Sequence, residues 1–275
     1  MAADQLKPNP ATGVQAARSG TPVFLYHGLT RDGRAPGSPR ERKYWVSAKR
    51  FREHLDVILE QDRAVSDLAE FWIRPPNRPS AVLTFDDGLQ SDYAIAFPQL
   101  LETGLQATFF LNSTTVGESG YLSWDQVREM HRHGMSFHSH SHDHVYLTRL
   151  RWPELLRQVR FSKEKIEDET GARVDFLAAP YGDLNDEVLA AALDTGYRAL
   201  CSSRSRAALT GSLLVDRVAV YGHTNGRQFR SLLRAEPLHY RLRAIRQALI
   251  FLPRQVLVRA RAQKTIPRIE MKRPT

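Results

Sequence analysis

Along the chain, short apolar runs alternate with longer stretches in which apolar positions recur at helical spacing. The runs are PVFLYH (22–27), AVLTF (81–85), ATFFL (107–111), MSF (135–137), DFLAA (175–179), YRALC (197–201) and DRVAV (216–220). Each is short and almost continuously apolar, which predicts a strand buried on both faces. The stretches between them are punctuated as helices. Ser47 opens SAKRFREHLDVILEQ, and Ser123 with Gln126 forms a capping-box pattern in SWDQVREMHRHG, closed by Gly134. WPELLRQVRFSKEKIEDETG runs from a Pro in its first turn to Gly171, and NDEVLAAALDTG runs from Asn185 to Gly196. About seven alternations in one domain predict an α/β fold with a mainly parallel sheet, open or closed into a barrel. RDGRAPGSPRERKYW (31–45) reads as a long loop leaving the first strand. In such folds ligands gather at the C-terminal ends of the strands, so the residues just beyond each run are where chemistry is expected.

Composition narrows the class. With 275 residues, 42% hydrophobic and 25% charged, the chain suits a soluble globular protein with one large domain and an appendage. A single cysteine, Cys201, excludes an internal disulfide framework and a cysteine-based zinc cluster. The net charge of +9 is local: residues 234–275 hold 11 Lys/Arg against 2 Asp/Glu, and the remainder is balanced. A basic tail on a neutral body is no argument for nucleic acid. We therefore divide the chain into a polar segment expected to be disordered (1–20), a domain (21–233) and a basic amphipathic tail (234–275). In the tail, Leu238, Leu242, Ile245 and Leu249 follow helical spacing among arginines. Such a stripe suits either peripheral contact with an anionic membrane surface or packing on the domain. The first twenty residues carry no apolar signal core, so the expected location is the cytoplasm, with contact at the inner membrane surface through the tail.

Candidate chemistry sits where strands end. TFDDG (84–88) places two adjacent carboxylates, Asp86 and Asp87, at a strand exit, with Gly88 free to turn. One can hold a cation while the other takes a proton from water; a plain surface turn is the competing reading. Asp92 completes DDGLQSD, a faint DDxxxD magnesium pattern, but an acid at a helix N-terminus is the simpler reading. GMSFHSHSHDHVYL (134–147) repeats histidine at 138, 140, 142 and 144. On a strand all four face one way; on a helical turn 138 pairs with 142, and 140 with 144; in a solvated loop none is a ligand. His27 leaves the first strand, and Pro180–Tyr181–Gly182 forms a tight turn whose amides can point at a developing oxyanion.

Taken in order, TFDDG, H-S-x-x-H-x-x-L and PYG resemble the polysaccharide deacetylases of the NodB-homology type, carbohydrate esterase family 4, over roughly residues 21–220. The resemblance implies an irregular (β/α) barrel. It also selects a histidine register: with His140 and His144 on the ligand positions, Leu147 and Leu150 fall on the family's leucines, whereas His138 and His142 lose both. Asp87, His140 and His144 then become ligands of a divalent metal, Zn2+ foremost with Co2+ or Ni2+ as alternatives, and His138 and His142 become supporting or solvated residues. Asp86 becomes the general base towards water, with the Tyr181 N–H and the metal stabilising the oxyanion, and Pro180, Tyr181 and Gly182 lining the substrate site. The family's proton donor usually lies late in the chain, and YGH at 221–223 is a poor match. FLYHG instead resembles the circularly permuted branch that includes poly-N-acetylglucosamine deacetylases, which makes His27 the general acid. Two departures stand out. Ala178 occupies the place of the arginine that orients the base, and its aspartate-tryptophan partner motif is absent. The implied activity is hydrolysis of N-acetyl groups on a carbohydrate, polymer or lipid-linked precursor. A catalytically silent carbohydrate-binding barrel and a metal-dependent O-acyl esterase are the alternatives. Oligomeric state is not legible.

Overall fold

The computed structural model describes residues 20–235 together with Tyr240. The expectations of a disordered N-terminal segment and of a basic amphipathic tail fall almost wholly outside the described residues. Among those described, no helix is long and apolar enough to cross a membrane.

Every apolar run forms a strand. The main strands are β1 (Val23–Tyr26), β5 (Ser80–Phe85), β6 (Thr108–Leu111), β7 (Ser136–Ser139), β8 (Phe176–Ala178), β9 (Ala199–Cys201), β10 (Leu214–Val215) and β11 (Val218–Ala219). All their pairings are parallel, in the order β10-β9-β8-β7-β6-β5-β1-β11, with the short β4 (Ala64–Val65) beside the start of β5. β2 (Leu29–Thr30) and β3 (Val46–Ser47) pair separately. The two edge strands, β10 and β11, are nearly consecutive in sequence. Three residue steps separate Val215 from Val218, and extended chain spans at most about 3.6 Å per residue, so the edges lie within ~11 Å of each other. The sheet must therefore curl into an almost closed barrel whose seam is Asp216–Arg217. This agrees with the expected irregular (β/α) barrel.

The helices follow their punctuation. α1 (Pro39–Arg42) is a single turn inside the 31–45 loop; α2 is Ala48–Glu60, α3 Leu68–Ile73, α4 Phe97–Thr103, α5 Trp124–Arg132, α6 Trp152–Thr170, α7 Asp186–Asp194 and α8 Gly226–Leu233. Ser47 caps α2 by accepting from the Arg50 amide, and Ser123 with Gln126 forms the expected capping box on α5. α6 ends at Gly171 in the left-handed conformation.

Alternate strand residues enter different cores. Phe24, Tyr26, Leu83, Phe85, Phe109, Leu111, Leu177 and Leu200 pack with the apolar faces of the helices. Val23, Val82, Phe110, Phe176, Ala178, Ala199 and Cys201 form a second cluster, which α3 joins through Leu68 and Phe71. The second cluster fills the barrel interior. Continuing its parity upward places Asp86 and His140 at the mouth, above Val82 and Thr84 on one strand and His138 on the other.

Candidate active site

The chain enters the site through strained backbone. Of the six described non-glycine residues with positive φ, four surround the mouth: Asp87 (79°), Ser141 (68°), His144 (52°) and Tyr181 (62°). Such conformations cost of order 1–3 kcal/mol each and persist where the surroundings over-determine them. Gly88 continues the turn with φ 63°, where a Cβ would meet Leu111 Cδ2 at 2.8 Å. At this turn glycine is required on both counts.

The histidine run is neither wholly strand nor helix. β7 ends at Ser139, and the left-handed Ser141 and His144 fold the following loop back. His140 and His144 converge on Asp87: each Nε2 lies 3.3 Å from Asp87 Oδ1. Ligand atoms from the three residues all fall within 4.8 Å of one another, the one such cluster among the described residues. Tetrahedral Zn–N and Zn–O bonds of about 2.0–2.2 Å imply ligand-to-ligand spacings of ~3.3–3.6 Å, which the two Asp87–His distances match. His140 Nδ1 lies 2.7 Å from the Ala178 carbonyl and donates to it, which orients the ring with Nε2 towards Asp87. The donor set, two imidazoles and one carboxylate, fits a borderline divalent cation.

The remaining histidines of the run go elsewhere. His138, expected to be supporting or solvated, is a core residue: it is 3% exposed, packs against Phe176 and Phe110, and accepts from the Asp175 amide. Burial lowers its pKa to about 3. It shares the inner face with His140, as strand parity requires, but one layer deeper. His142 bonds the Ser113 hydroxyl at the rim. Asp92 stands at a helix N-terminus, as expected: it opens a π-helical turn (Asp92–Ala96), fully buried, and it stays outside the ligand cluster. Burial, reinforced by the charges of Asp87 and Asp86, raises its carboxyl well above the usual range.

Asp86 turns into the barrel beside Asp87. Its partner is Arg217, from the seam between β10 and β11: Nη1 donates to Oδ1 at 2.7 Å and Nη2 to Oδ2 at 2.8 Å. Both side chains are almost fully buried, at 1% and 4% exposure. Arg217 also donates to the Ser202 carbonyl and the Thr84 hydroxyl and lies over the Phe110 ring. An arginine thus contacts the candidate base although Ala178 stands before the PYG turn. Sequence reasoning missed it because it lies 131 positions from Asp86. The one available signal was a charged residue inside the apolar run DRVAV. Burial raises the Asp86 carboxyl, but the Arg217 and His140 charges and the Arg217 hydrogen bonds outweigh it, so Asp86 stays below the ordinary carboxylate value. Asp87 is held lower still: hydrogen bonds from His140 and His144 overcome its burial.

His27 stands at the end of β1, which lies between β5 and the seam strand β11. Burial lowers its pKa, and the charges of Asp87 and then Asp86 oppose that shift, so the imidazole sits in the field of both carboxylates. Opposite, the turn Pro180–Gly182 brings Tyr181 to His144, ring centroids 4.9 Å apart, with Tyr146 stacked on Tyr181 at 4.1 Å. Gly182 adopts φ 67°, where a Cβ would lie 3.0 Å from Ser203 Oγ. The expected site residues Asp86, Asp87, His140 and His144 thus meet at one mouth, with His27 and Pro180–Tyr181–Gly182 at its margins.

Known proteins resemble this chain in sequence and fold. Residues 73–200 match the family model described as polysaccharide deacetylase. A putative polysaccharide deacetylase of Bacillus subtilis is 27% identical over 184 residues, covering 64% of this chain and 62% of the relative. The poly-beta-1,6-N-acetyl-D-glucosamine N-deacetylase of Staphylococcus epidermidis is 27% identical over 59% of this chain and 62% of its own length. The chain thus spans under two thirds of these relatives. Among solved structures, a Streptococcus pyogenes deacetylase in complex with acetate superposes with a TM-score of 0.70 at 21% identity, covering 78% of this chain and 98% of the other. IcaB from Ammonifex degensii gives 0.68 at 23%, covering 78% and 97%. Both structural likenesses speak to the fold.

Proposed function

We propose that this chain, whose residues 73–200 match the polysaccharide deacetylase model, is a metal-dependent hydrolase removing N-acetyl groups from an N-acetylated sugar polymer. The observation that carries the reading is the pair of adjacent carboxylates with divided surroundings. Asp87 faces two histidines at metal-ligand spacing, and Asp86, ionised against Arg217, stands next to it. The activity named for the Staphylococcus epidermidis relative supports N-acetylglucosamine units as the substrate class.

Asp87, His140 and His144 would hold a divalent cation, Zn2+ foremost, whose Lewis acidity lowers the pKa of water from 15.7 towards about 7. The chain's own residues handle the protons. Asp86 accepts the proton of the attacking water: Arg217 fixes its plane, and each carboxylate oxygen keeps a further lone pair for that task. The Tyr181 amide donates to the acetyl carbonyl oxygen as charge develops there. His27 gives its proton to the departing amine, leaving acetate and a free amino sugar. In this reading the strand bearing the acid precedes the others in the chain, as in the permuted branch.

The test is metal content together with acetate release from N-acetylglucosamine oligomers, for wild type, His140→Ala and His138→Ala. We expect one equivalent of metal and turnover in wild type, both lost in His140→Ala and both retained in His138→Ala, which should lose stability only. Metal binding without acetate release would leave the site standing and remove the substrate. Absence of metal binding would remove the enzyme reading.

A further inference from the structure

The 31–45 loop delivers a side chain that the deacetylase reading leaves without a role. The loop ends in Lys43–Tyr44–Trp45, and this tripeptide is clamped between the exits of β1 and β11. The Trp45 indole lies against Gly28, where a Cβ would come within 2.4 Å of the ring. On the other side the Trp45 carbonyl lies against Gly222, where a Cβ would again come within 2.4 Å. Two hydrogen bonds close the clamp: the Gly222 amide donates to the Lys43 carbonyl at 2.8 Å, and the Val46 amide donates to the Gly28 carbonyl at 3.0 Å. The Lys43 ammonium stands 4.7 Å from the centre of the Tyr44 ring and 5.8 Å from that of Tyr221.

The clamp sets one ring with little freedom. Tyr44 lies 4.8 Å from the His27 imidazole, centroid to centroid, at 38°, with Tyr221 5.4 Å away on its own flank. His27 Nδ1 is buried with no hydrogen-bond partner among the described residues. A histidine that transfers a proton in one direction needs its ring plane fixed, and a carboxylate or carbonyl on the opposite nitrogen is the usual means. Here that nitrogen has neither, and aromatic packing is the contact left to do it.

We propose that Tyr44 is a positioning residue for His27, holding the imidazole plane so that Nε2 faces the leaving group. Its kinetic consequence rests on the deacetylase reading above. An amine leaves only with a proton, whereas a phenolate leaves without one, so misplacing the His27 ring must penalise amide substrates selectively.

The experiment compares wild type, Tyr44→Ala and Tyr44→Phe, each as the full metal-loaded chain, on N-acetylglucosamine oligomers and on an aryl acetate. Tyr44→Ala should lower kcat on the amide by about tenfold or more, a fraction of what general acid catalysis supplies, while aryl acetate turnover and metal content stay near wild type. Tyr44→Phe, which keeps the ring, should resemble wild type on both. Equal losses on amide and ester would make Tyr44 a support of the fold and overturn the proposal. A second readout does not need turnover. The His27 ring signal in a carbon-13 histidine spectrum, assigned by its disappearance in His27→Gln, should move in Tyr44→Ala and stay in Tyr44→Phe. If it does not move in Tyr44→Ala the positioning role is wrong, whereas a wild type that releases no acetate from either substrate strikes at the deacetylase reading alone.

Discussion

Asp86 and Asp87 are neighbours in the chain, yet their surroundings have little in common. Asp87 stands in left-handed backbone, a quarter exposed, and its partners His140 and His144 both come from the loop that follows β7. Asp86 keeps to strand parity and is sealed inside, bonded by both oxygens to an arginine from the barrel seam. Asp87's side of the site is built from two short motifs and is open at the mouth. Asp86's side is long-range and dry, so its charge is stabilised by Arg217 and not by water. Adjacent residues can thus hold separate tasks because a turn at position 87 sends the two side chains to different neighbours.

The largest expected effect separates the two carboxylates. Asp86→Asn should keep a full equivalent of metal while turnover falls by roughly 10²–10⁴, the usual worth of a positioned base. Asp87→Asn should lose metal and turnover together. Metal analysis of the two purified variants decides it. If Asp86→Asn arrives metal-free, the division of labour is wrong.

Next in size is the ion pair. Removing one partner of a buried pair strands the other charge, at a cost of about 3–5 kcal/mol. Arg217→Met should lose that much in denaturant unfolding, and the double variant Asp86→Asn/Arg217→Met should lose clearly less than the two single variants summed. Strict additivity would mean that Arg217 supports the seam through Ser202 and Phe110 and not through Asp86.

The same division explains what the sequence reveals. Residues on one side of the site fall into two short motifs, so TFDDG and the histidine run give it away. The strands themselves are plain because burial on both faces leaves almost nothing but apolar residues in 81–85 and 107–111. Parity could even have warned that His138 shares a face with His140, but not that the barrel floor makes one a core residue and the other a ligand. Arg217 was hidden for a physical reason: its partner is fixed by sheet closure, a contact that no local period encodes. Tyr44 could not be found either, because it depends on two distant glycines leaving room for Trp45.

The smallest expected effect contrasts His27 with the histidine bonded to its neighbour Tyr26. His54 is a clasp: Nε2 donates to the Thr224 carbonyl at 2.7 Å, Nδ1 accepts from the Tyr26 hydroxyl at 3.1 Å, and its ring stacks on Phe229 at 4.3 Å. Burial holds its pKa down to about 4, against the partial relief of the Thr224 hydrogen bond. A histidine with a depressed native pKa favours the unfolded chain in acid. As pH falls below the unfolded value of about 6.5, the unfolded state takes a proton that the native state refuses until about 4. Stability should therefore decline across that window and, for this group, level off below it. A gap of this size amounts to roughly 3 kcal/mol at most. His54→Gln should start less stable at pH 7 yet show a shallower loss between pH 6.5 and 4, and the difference between the two curves cancels every other titrating group. Parallel curves would mean that His54 opens to water before it protonates. The clasp would then be looser than its three contacts imply, and Tyr26, the residue before His27, would lose one of the supports that set the candidate acid in place.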